Sequence, residues 1–130
     1  SLALEDAELD PCKIDYINAH GTSTPAGDIL ELQAIKKTFG DHSKNLIINS
    51  TKSMIGHLLG AAGGVEAIVC ILSIENKKIH QTINIENLDE ECDLNVNHMS
   101  SVDCDINYAL SNSFGFGGTN GSLIFSKFKD

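Results

Sequence analysis

Two histidine-bearing segments and one glycine-rich turn hold the residues best suited to chemistry. The segments run from His20 to Pro25 and from Lys52 to His57, and the turn runs from Asn112 to Asn120. Histidines beside glycine and small hydroxyl residues, with main-chain N–H groups that a glycine-rich turn exposes, are groups that stabilise a developing oxyanion. No cysteine or serine lies in a convincing setting for a nucleophile. These residues predict the supporting part of an acyl-transfer site without its attacking atom.

A second set of candidates is charged and lies near apolar helices. Glu66 falls inside a predicted apolar helix, where an ionised carboxylate is costly unless it is paired. Lys52 precedes that helix, so both side chains could face the same interior site. Asp28 and Glu31 are three residues apart and share one face of an earlier helix. For Asp28, favourable charge near a helix N-terminus is an equally good explanation.

Metal and nucleotide chemistry are less well supported by the sequence. A zinc site built on His20 and His57 would need a third ligand, and none is evident, so a metallohydrolase stays an alternative that zinc analysis would decide. The turn at 115–118 lacks the Lys-Ser/Thr of a phosphate-binding loop. Four cysteines without a C-x-x-C pair predict no disulfide framework and favour a reducing compartment. Three further histidines lie in polar loops and are interpreted as structural or exposed: His42, His80 and His98.

Length, composition and charge restrict the class of protein. The chain has 130 residues, of which 42% are hydrophobic and 21% charged, as in a soluble globular domain. Its net charge of −9 argues against nucleic acid as a partner, because the phosphates would be repelled. The first residues form an acidic amphipathic stretch without an initiator Met, so we expect the chain to continue upstream. The apolar run from Leu58 to Ile74 contains Glu66 and is short for a bilayer, so no membrane partner is expected.

Apolar periodicity predicts alternating strands and helices in the first part of the chain. After an opening helix, residues 14–19 alternate as a half-buried strand does. Thr24 is expected to cap a helix that starts with Pro25 and ends at Gly40. A short buried strand is then predicted at 46–49.

The second part of the chain is predicted to contain one helix and a hairpin. The helix, from about His57 to Asn76, is apolar on nearly all sides, which predicts a central position. A polar connection follows, with short strands predicted near 82–83 and 94–96. The arms of an antiparallel hairpin are predicted at 107–112 and 122–128. The whole order predicts an α/β fold with a mixed sheet, containing a parallel βαβ part and an antiparallel hairpin, packed by helices.

Four motifs together resemble the C-terminal half of the type II β-ketoacyl-[acyl-carrier-protein] synthases, the condensing enzymes of fatty-acid synthesis with the thiolase fold. They are His-Gly-Thr-Ser-Thr-Pro at 20–25, Thr-Lys-Ser-Met-Ile-Gly-His at 51–57, Gly-Ala-Ala-Gly-Gly-Val-Glu at 60–66 and Asn-Ser-Phe-Gly-Phe-Gly-Gly-Thr-Asn at 112–120. The resemblance runs from Leu2 to Phe128. It implies that residues 1–130 form one thiolase-like domain, and that the N-terminal half with the nucleophilic cysteine is absent.

The resemblance also implies a role for each candidate residue. His20 and His57 would hydrogen-bond the malonyl thioester carbonyl and stabilise the enolate formed on decarboxylation, with Lys52 as the family's essential lysine. The supporting polar network would consist of Glu66, Asp28, Glu31 and Asn120. Phe116 would gate the site and complete the oxyanion hole, and the phosphopantetheine arm would be bound by Thr22 and Thr24. Some family members hold a structural monovalent cation, here near Asn18, Glu66, Ser111 and Asn112.

The implied activity is that of an acyltransferase that condenses malonyl-carrier protein with an enzyme-bound acyl thioester. The implied partners are acyl carrier protein, which brings its own phosphopantetheine so that no other cofactor is needed, and a second copy in a homodimer. A fragment without the cysteine is expected to be inactive alone. The expected location is the bacterial cytoplasm, or alternatively the plastid stroma. The alternatives are a non-catalytic chain-length-factor-like subunit and a polyketide ketosynthase fragment. A thiolase has the same fold, but the two histidines together with Lys52 argue against it.

Overall fold

The computed structural model describes residues 1–128, which form four α-helices and six β-strands. The helices are α1 (Leu2–Asp6), α2 (Gly27–Phe39), α3 (Lys52–Ile55) and α4 (Ala62–Asn76). The strands are β1 (Tyr16–Asn18), β2 (Ile47–Asn49), β3 (Lys78–Ile79), β4 (Val102–Asp103), β5 (Tyr108–Phe114) and β6 (Asn120–Ser126). Short 3₁₀ turns lie at Pro11–Lys13, Gly40–Lys44, Leu59–Ala61 and Phe116–Gly118.

A four-stranded mixed sheet with the order β2–β1–β5–β6 is the centre of the fold. Strand β1 pairs in parallel with both β2 and β5, and β5 pairs with β6 as an antiparallel hairpin. Asn18, the last residue of β1, is in register with Asn49 and Ser111. Because parallel strands end at the same edge, the segments that follow β1 and β2 meet there. The predicted mixed α/β sheet with its hairpin is confirmed.

Each face of the sheet is covered by one long helix. On one face, α2 packs Leu32, Ile35 and Phe39 against Ile17 and Leu110. On the opposite face, α4 packs against a second cluster, formed by the buried residues Tyr16, Cys70, Ile74, Ile79, Ile106 and Ala109. Neighbouring residues of one strand alternate between the two clusters, as strand geometry requires.

Helix α4 is buried on one face only, which corrects the expectation of a central helix. Glu66 and Cys70 face the sheet, but Ile68 is 57% exposed and Leu72 is 48% exposed. Within the residues that the structure describes, one helical stretch, Leu59–Asn76, is long and apolar enough by composition to cross a membrane. The expectation that this apolar run is too short for a bilayer is therefore corrected. Helix α4 nevertheless packs on the sheet, and its buried Glu66 pairs with Lys52.

Two predicted element boundaries were wrong. The helix expected from His57 begins at Ala62, because Gly56 adopts a left-handed φ of 76° and separates it from the short α3. Helix α2 begins at Gly27 with Ala26 as its N-cap, so Thr24 and Pro25 lie outside it. The predicted helix end at Gly40 is confirmed.

The strands predicted near 82–83 and 94–96 are absent from the described part of the chain. Instead of joining a sheet, Thr82 and Ile83 form hydrogen bonds with the turn that follows β2. The N–H of Ser50 donates to the Thr82 hydroxyl, and the N–H of Ile83 donates to the hydroxyl of Ser53. Val96 makes only an isolated bridge to β2. The two short strands that do form, β3 and β4, pair with each other as a separate antiparallel ladder.

Candidate functional site

The rings of His20 and His57 meet at the edge where the parallel strands end. His20 follows β1, and His57 follows β2 and the short α3. Their ring centroids are 5.5 Å apart and their planes cross at 85°. His20 is half-buried, whereas His57 is exposed. The structure therefore brings the two predicted histidines together at one place, with their rings edge to face.

Main-chain N–H groups determine which nitrogen of each ring carries the proton. The N–H of Phe114 donates to Nδ1 of His20 at 3.3 Å. The N–H of Leu59 donates to Nδ1 of His57 at 3.2 Å. In a neutral imidazole, the nitrogen that accepts has no hydrogen, so the proton of each ring is on Nε2. Both histidines can therefore donate an N–H through Nε2 to a bound oxygen atom.

Electrostatics favours the neutral form of His20. Burial lowers the pKa of His20 below its ordinary value of 6.5, and the nearby Lys52 and His57 lower the pKa further. A protonated ring would also turn an Nδ1–H against the N–H of Phe114. His20 is accordingly a neutral hydrogen-bond donor at pH 7, which is the form that an oxyanion site requires.

Lys52 and Glu66 form a buried ion pair beneath the histidines. The Lys52 side chain is 5% exposed and that of Glu66 is 1% exposed, and their charged groups are hydrogen-bonded. Lys52 opens α3, and Glu66 lies on the face of α4 that packs on the sheet. Such a pair is maintained only when both partners are present, since either charge alone would be stranded in the interior.

Glu31 holds the backbone that carries His20. Its carboxylate accepts the main-chain N–H of His20 at 2.9 Å and of Gly21 at 3.0 Å, and the side-chain amide of Asn112 at 3.0 Å. Burial raises the pKa of Glu31, and these three donors oppose that rise. Gly21 has a φ of 38°, and a Cβ there would lie 2.7 Å from the Cβ of Ser50. The Glu31 carboxylate therefore fixes the loop that carries His20, and position 21 of this loop permits only glycine.

The loop that contains Thr22 and Thr24 forms one wall of an open groove of about 900 Å³. Asp28 supports this wall, because its carboxylate accepts the main-chain N–H of Ser23 at 3.1 Å. The groove is lined by residues that include Thr22, Ser23, Lys52 and His57. Thr22 is half-buried and Thr24 is exposed.

The hairpin turn carries Phe116 at its tip, with the side chain fully exposed. Gly117 and Gly118 follow with φ of 77° and 80°, a conformation that favours glycine. Asn120 lies opposite Phe114 in the hairpin and is also exposed. Within residues 1–128, no hydrogen bond joins Asn120 to Lys52 or Glu66, so the structure does not bring it into their network.

Two buried oxygen atoms near the ion pair have no hydrogen-bond partner within residues 1–128: Oδ1 of Asn18 and Oε2 of Glu66. Ser111 is in register with Asn18, so its side chain lies on the same face of the sheet. Oxygen atoms of these three residues suit a small cation. The Asn112 side chain points to the opposite face, where it contacts Glu31 and Ser122, so it does not join them. No group of three His, Cys, Asp or Glu suited to a metal occurs within the described residues.

The cysteines offer no nucleophile at the histidine pair. Cys70 is buried in α4, and burial raises the pKa of its thiol to about 12, so the reactive thiolate is disfavoured. Cys12 is exposed, and a hydrogen bond with Asp10 raises the pKa of its thiol. Within the described chain, no hydrogen bond joins a cysteine to His20 or His57.

Sequence reasoning missed a set of polar residues that hold the Lys52 turn. They include Thr51, which is buried, and His80, whose ring contacts the Thr51 hydroxyl at 3.0 Å. The available signal was the unbroken polar run Asn49-Ser50-Thr51, which begins at the last residue of a buried strand. Buried polar groups need partners, and those partners had to come from elsewhere in the chain.

Known proteins resemble this chain in sequence along nearly all of its length. The family described as beta-ketoacyl synthase, C-terminal domain, matches residues 1–86. A 3-oxoacyl-[acyl-carrier-protein] synthase 2 of Coxiella burnetii is 54% identical over 128 residues, which is 98% of this chain. The enzyme of the same name from Staphylococcus aureus is 54% identical over 127 residues. The chain spans 31% of the length of these relatives.

Solved structures agree with the sequence comparison. A type II polyketide ketosynthase, solved with its acyl-carrier protein and bound to the hexaketide, superposes with a TM-score of 0.95 at 38% identity. The ishigamide ketosynthase/chain length factor gives 0.93 at 40% identity. A beta-ketoacyl synthase from Burkholderia phymatum gives 0.92 at 43% identity. Each comparison covers 98% of this chain and 31% of the other. The chain belongs to the β-ketoacyl synthase family, and its residues 1–86 match that family's C-terminal domain.

Proposed function

We propose that this chain is the C-terminal part of a 3-oxoacyl-[acyl-carrier-protein] synthase that performs decarboxylative Claisen condensation in fatty-acid synthesis. The observation that carries the proposal is the pair of imidazole rings, 5.5 Å apart, whose Nδ1 atoms both accept a main-chain N–H. Each ring then has an Nε2–H to direct at one thioester oxygen.

The two donors act on the malonyl thioester. Its carbonyl oxygen accepts from Nε2 of His20 and Nε2 of His57. When the bond to the carboxylate breaks, carbon dioxide leaves and the electron pair remains as an enolate on that oxygen. Donors aimed at developing negative charge lower the barrier, each by about 3–4 kcal/mol in comparable sites. The enolate carbon then attacks the acyl thioester, a carbon–carbon bond forms and the cysteine thiolate is released.

Lys52 acts on His20 through its charge. Its ammonium group, paired with Glu66, contributes to the lowered pKa of His20, which keeps the ring uncharged and its Nδ1 available to Phe114. We infer that Asp28 and Glu31 maintain the loop geometry. A monovalent cation at Asn18, Glu66 and Ser111 would neutralise the carboxylate oxygen left without a partner.

The substrate carrier is inferred to be acyl carrier protein, whose phosphopantetheine arm would enter along the groove beside Thr22. Support comes from the groove itself and from the similar ketosynthase solved with its acyl-carrier protein. Thr24 and Phe116 lie outside the groove lining, on exposed parts of the same edge, where an entering arm would pass. No cofactor other than this arm is proposed.

The attacking cysteine is inferred to come from another part of the same enzyme, so this chain alone would not condense acyl groups. The exposed apolar face of α4, which includes Ile68 and Leu72, supports an additional partner structure on that side. We further infer a homodimer of the complete enzyme, located in the bacterial cytoplasm or, alternatively, in the plastid stroma.

A non-catalytic chain-length-factor-like subunit is the second candidate. It is favoured by one observation, the close superposition with a ketosynthase/chain length factor. Only the residue at the nucleophile position of the complete protein separates the two candidates, because the histidine pair lies in this part of the chain in both cases.

The test is an assay of the complete protein with radiolabelled malonyl-carrier protein and an acyl donor. We expect condensation, and we expect His20→Ala and His57→Ala to reduce malonyl decarboxylation by about 10²–10³-fold each. The matched control is His98→Ala, since within residues 1–128 the only hydrogen bond of the His98 ring is to a main-chain carbonyl. Full activity of both site variants would contradict the proposal, and turnover by the 130-residue chain alone would contradict the inferred need for a separate cysteine.

A further inference from the structure

We propose that His80 is a positioning residue that fixes the Lys52 turn through the hydroxyl of Thr51. The proposal deepens the function proposed above, because the turn it fixes carries Lys52 and His57. His80 itself does not line the groove. Its ring contacts the buried Thr51, and its carbonyl oxygen contacts the buried Asn49 and Asn97.

The two ring nitrogens of His80 have partners that determine its tautomer. Nδ1 lies 2.8 Å from the carbonyl oxygen of Gln81, and Nε2 lies 3.0 Å from the hydroxyl of Thr51. A carbonyl oxygen only accepts, so Nδ1 carries the proton. Nε2 of the neutral ring therefore accepts, and the Thr51 hydroxyl donates to it. This is the opposite tautomer from that of His20 and His57.

The direction of this hydrogen bond passes on to Asn18. With its proton directed at His80, the Thr51 oxygen accepts from Nδ2 of Asn18 at 2.7 Å. The three groups form one chain of donors that runs from Asn18 through Thr51 to His80. If Nε2 of His80 carried the proton, the Thr51 hydroxyl would be free to donate to Oδ1 of Asn18, and the amide could reverse. The His80 tautomer thus sets which Asn18 atom faces Thr51, and Oδ1 is left buried without a partner within residues 1–128.

The backbone of His80 is held independently of its ring. Its carbonyl oxygen accepts from Nδ2 of Asn49 at 2.7 Å and from Nδ2 of Asn97 at 3.2 Å. Asn49 also accepts the hydroxyl of Tyr16 at 2.8 Å. Because Asn49 and Asn97 are both buried, the ring is presented to Thr51 from a fixed base. The hydrogen bond between His80 and Thr51 is accordingly part of a larger network of buried polar side chains.

Fixing Thr51 fixes the residue that follows it. Thr51 precedes Lys52, the first residue of α3, whose ammonium group pairs with Glu66 and influences His20. Loss of the His80 contact would leave the buried Thr51 hydroxyl without its acceptor and the turn less constrained. The expected consequence is a lower kcat with an unchanged KM, because the His80 ring lies outside the groove lining, and so do its ring partners Thr51 and Gln81.

The tautomer is tested by NMR on the complete protein labelled with ¹⁵N-histidine. We expect two-bond proton–nitrogen correlations to show His80 with its proton on Nδ1, and His20 and His57 with theirs on Nε2. His80 with its proton on Nε2 would overturn the proposal. This measurement does not depend on activity, so it decides about His80 even if the proposed condensation is absent.

The positioning role is tested by a double-mutant cycle on malonyl decarboxylation. His80→Leu should reduce kcat by up to about tenfold, the size expected for one lost hydrogen bond. Thr51→Val should cost about the same, and the double variant no more than either single one. His80→Gln should restore activity, because its amide oxygen can accept from Thr51.

The matched control is His98→Leu, which removes a ring whose only hydrogen bond in the described part of the chain is to the carbonyl of Val96. It should leave kcat unchanged. Fully additive losses at His80 and Thr51, or failure of His80→Gln to exceed His80→Leu, would contradict the positioning role. Inactivity of the unmodified protein would instead contradict the proposed function and leave the NMR result to decide about His80.

Discussion

At the scale of single residues, the site depends on where hydrogens are placed. Phe114 and Leu59 each direct a main-chain N–H at Nδ1 of a histidine, and the protons of both rings are thereby assigned to Nε2. Backbone donors keep this role with any side chain at their position except proline, which has no main-chain N–H. The proton positions of the two rings therefore depend on the backbone conformation as much as on the two histidines themselves.

We predict that His20 titrates below pH 6.5, because burial and the charge of Lys52 disfavour the imidazolium. An NMR titration of the His20 ring should show this, and Lys52→Met should move the midpoint upward. The folded state binds the proton less tightly than the unfolded chain, so the free energy of unfolding should fall as pH is lowered from about 6.5 toward the pKa of folded His20. A His20→Gln variant should show a smaller fall in urea denaturation, and an equal fall would contradict the prediction.

We predict that Lys52→Met lowers the free energy of unfolding by about 3–5 kcal/mol, because it leaves the buried Glu66 charge unpaired. Lys52→Met combined with Glu66→Met should recover most of this loss, since both charges are then removed. Urea denaturation at pH 7 measures the effect. The surface pair of Lys127 and Asp105 provides the control, and Lys127→Met should change stability by less than about 1 kcal/mol. A double variant as unstable as Lys52→Met would contradict this explanation.

At the scale of elements, the segment between α3 and α4 contains backbone that a helix could not provide. Gly56 has a φ of 76° and Leu59 has a φ of 51°, and between them the chain turns so that the N–H of Leu59 reaches His57. A leucine in the left-handed region is unfavourable by about 1–2 kcal/mol. Here the unfavourable conformation lies two residues from a candidate catalytic group.

We predict that Leu59→Gly raises the free energy of unfolding by about 0.5–1 kcal/mol, because glycine adopts this φ without strain and the Leu59 side chain is 77% exposed. The main-chain donor to His57 is kept. The neighbouring Leu58 has a φ of −82°, so Leu58→Gly should instead lower stability. Chemical denaturation of both variants makes the comparison. Equal effects of the two substitutions would show that left-handed strain is not the cause.

Much of the fold was predictable from the sequence because its long elements have clear periodicity. That pattern predicts the hairpin, the mixed sheet and helix α2 with its end at Gly40. The break at Gly56 was not predictable, because the apolar residues continue across it and only the backbone conformation changes. The strands expected near 82–83 and 94–96 did not form, because Thr82 and Ile83 found partners in the Ser50–Ser53 turn, a contact that local sequence does not encode.

For the site, the residue types were predictable, and so was the meeting of His20 and His57. The contribution of Glu31 was expected only as part of a network, whereas the structure gives it two main-chain donors on the His20 loop. His80 was interpreted as an ordinary loop histidine, because its partner Thr51 is 29 residues away. Contacts between distant loops are the part that periodicity cannot predict.

At the scale of the whole molecule, apolar surface remains on one side of an acidic chain. Helix α4 exposes Ile68, Ile71 and Leu72, and these residues lie within about one and a half turns of the helix. Exposed apolar patches of this kind mark contact surfaces or aggregation liabilities. The proposed rest of the enzyme would cover this face, and in its absence a second copy of the chain would do so less specifically.

We predict that Ile68→Glu combined with Leu72→Glu reduces self-association of the 130-residue chain, because charges on the α4 face oppose its burial. Analytical ultracentrifugation over a concentration series should show a larger monomer fraction. The control is Leu30→Glu, which adds one charge at a leucine that is 60% exposed on the opposite helix α2. An unchanged association in the α4 variant, or an equal effect of Leu30→Glu, would contradict the assignment of this face.

The two histidines differ in how firmly the chain holds them. His20 leaves the central strand β1, and its own N–H is bound by the buried Glu31. His57 stands on an exposed turn, and its ring is held by one main-chain N–H two residues away. In the proposed reaction, His20 is therefore the donor anchored through a buried carboxylate before a carbonyl arrives, and His57 is the donor held by the backbone of an exposed turn.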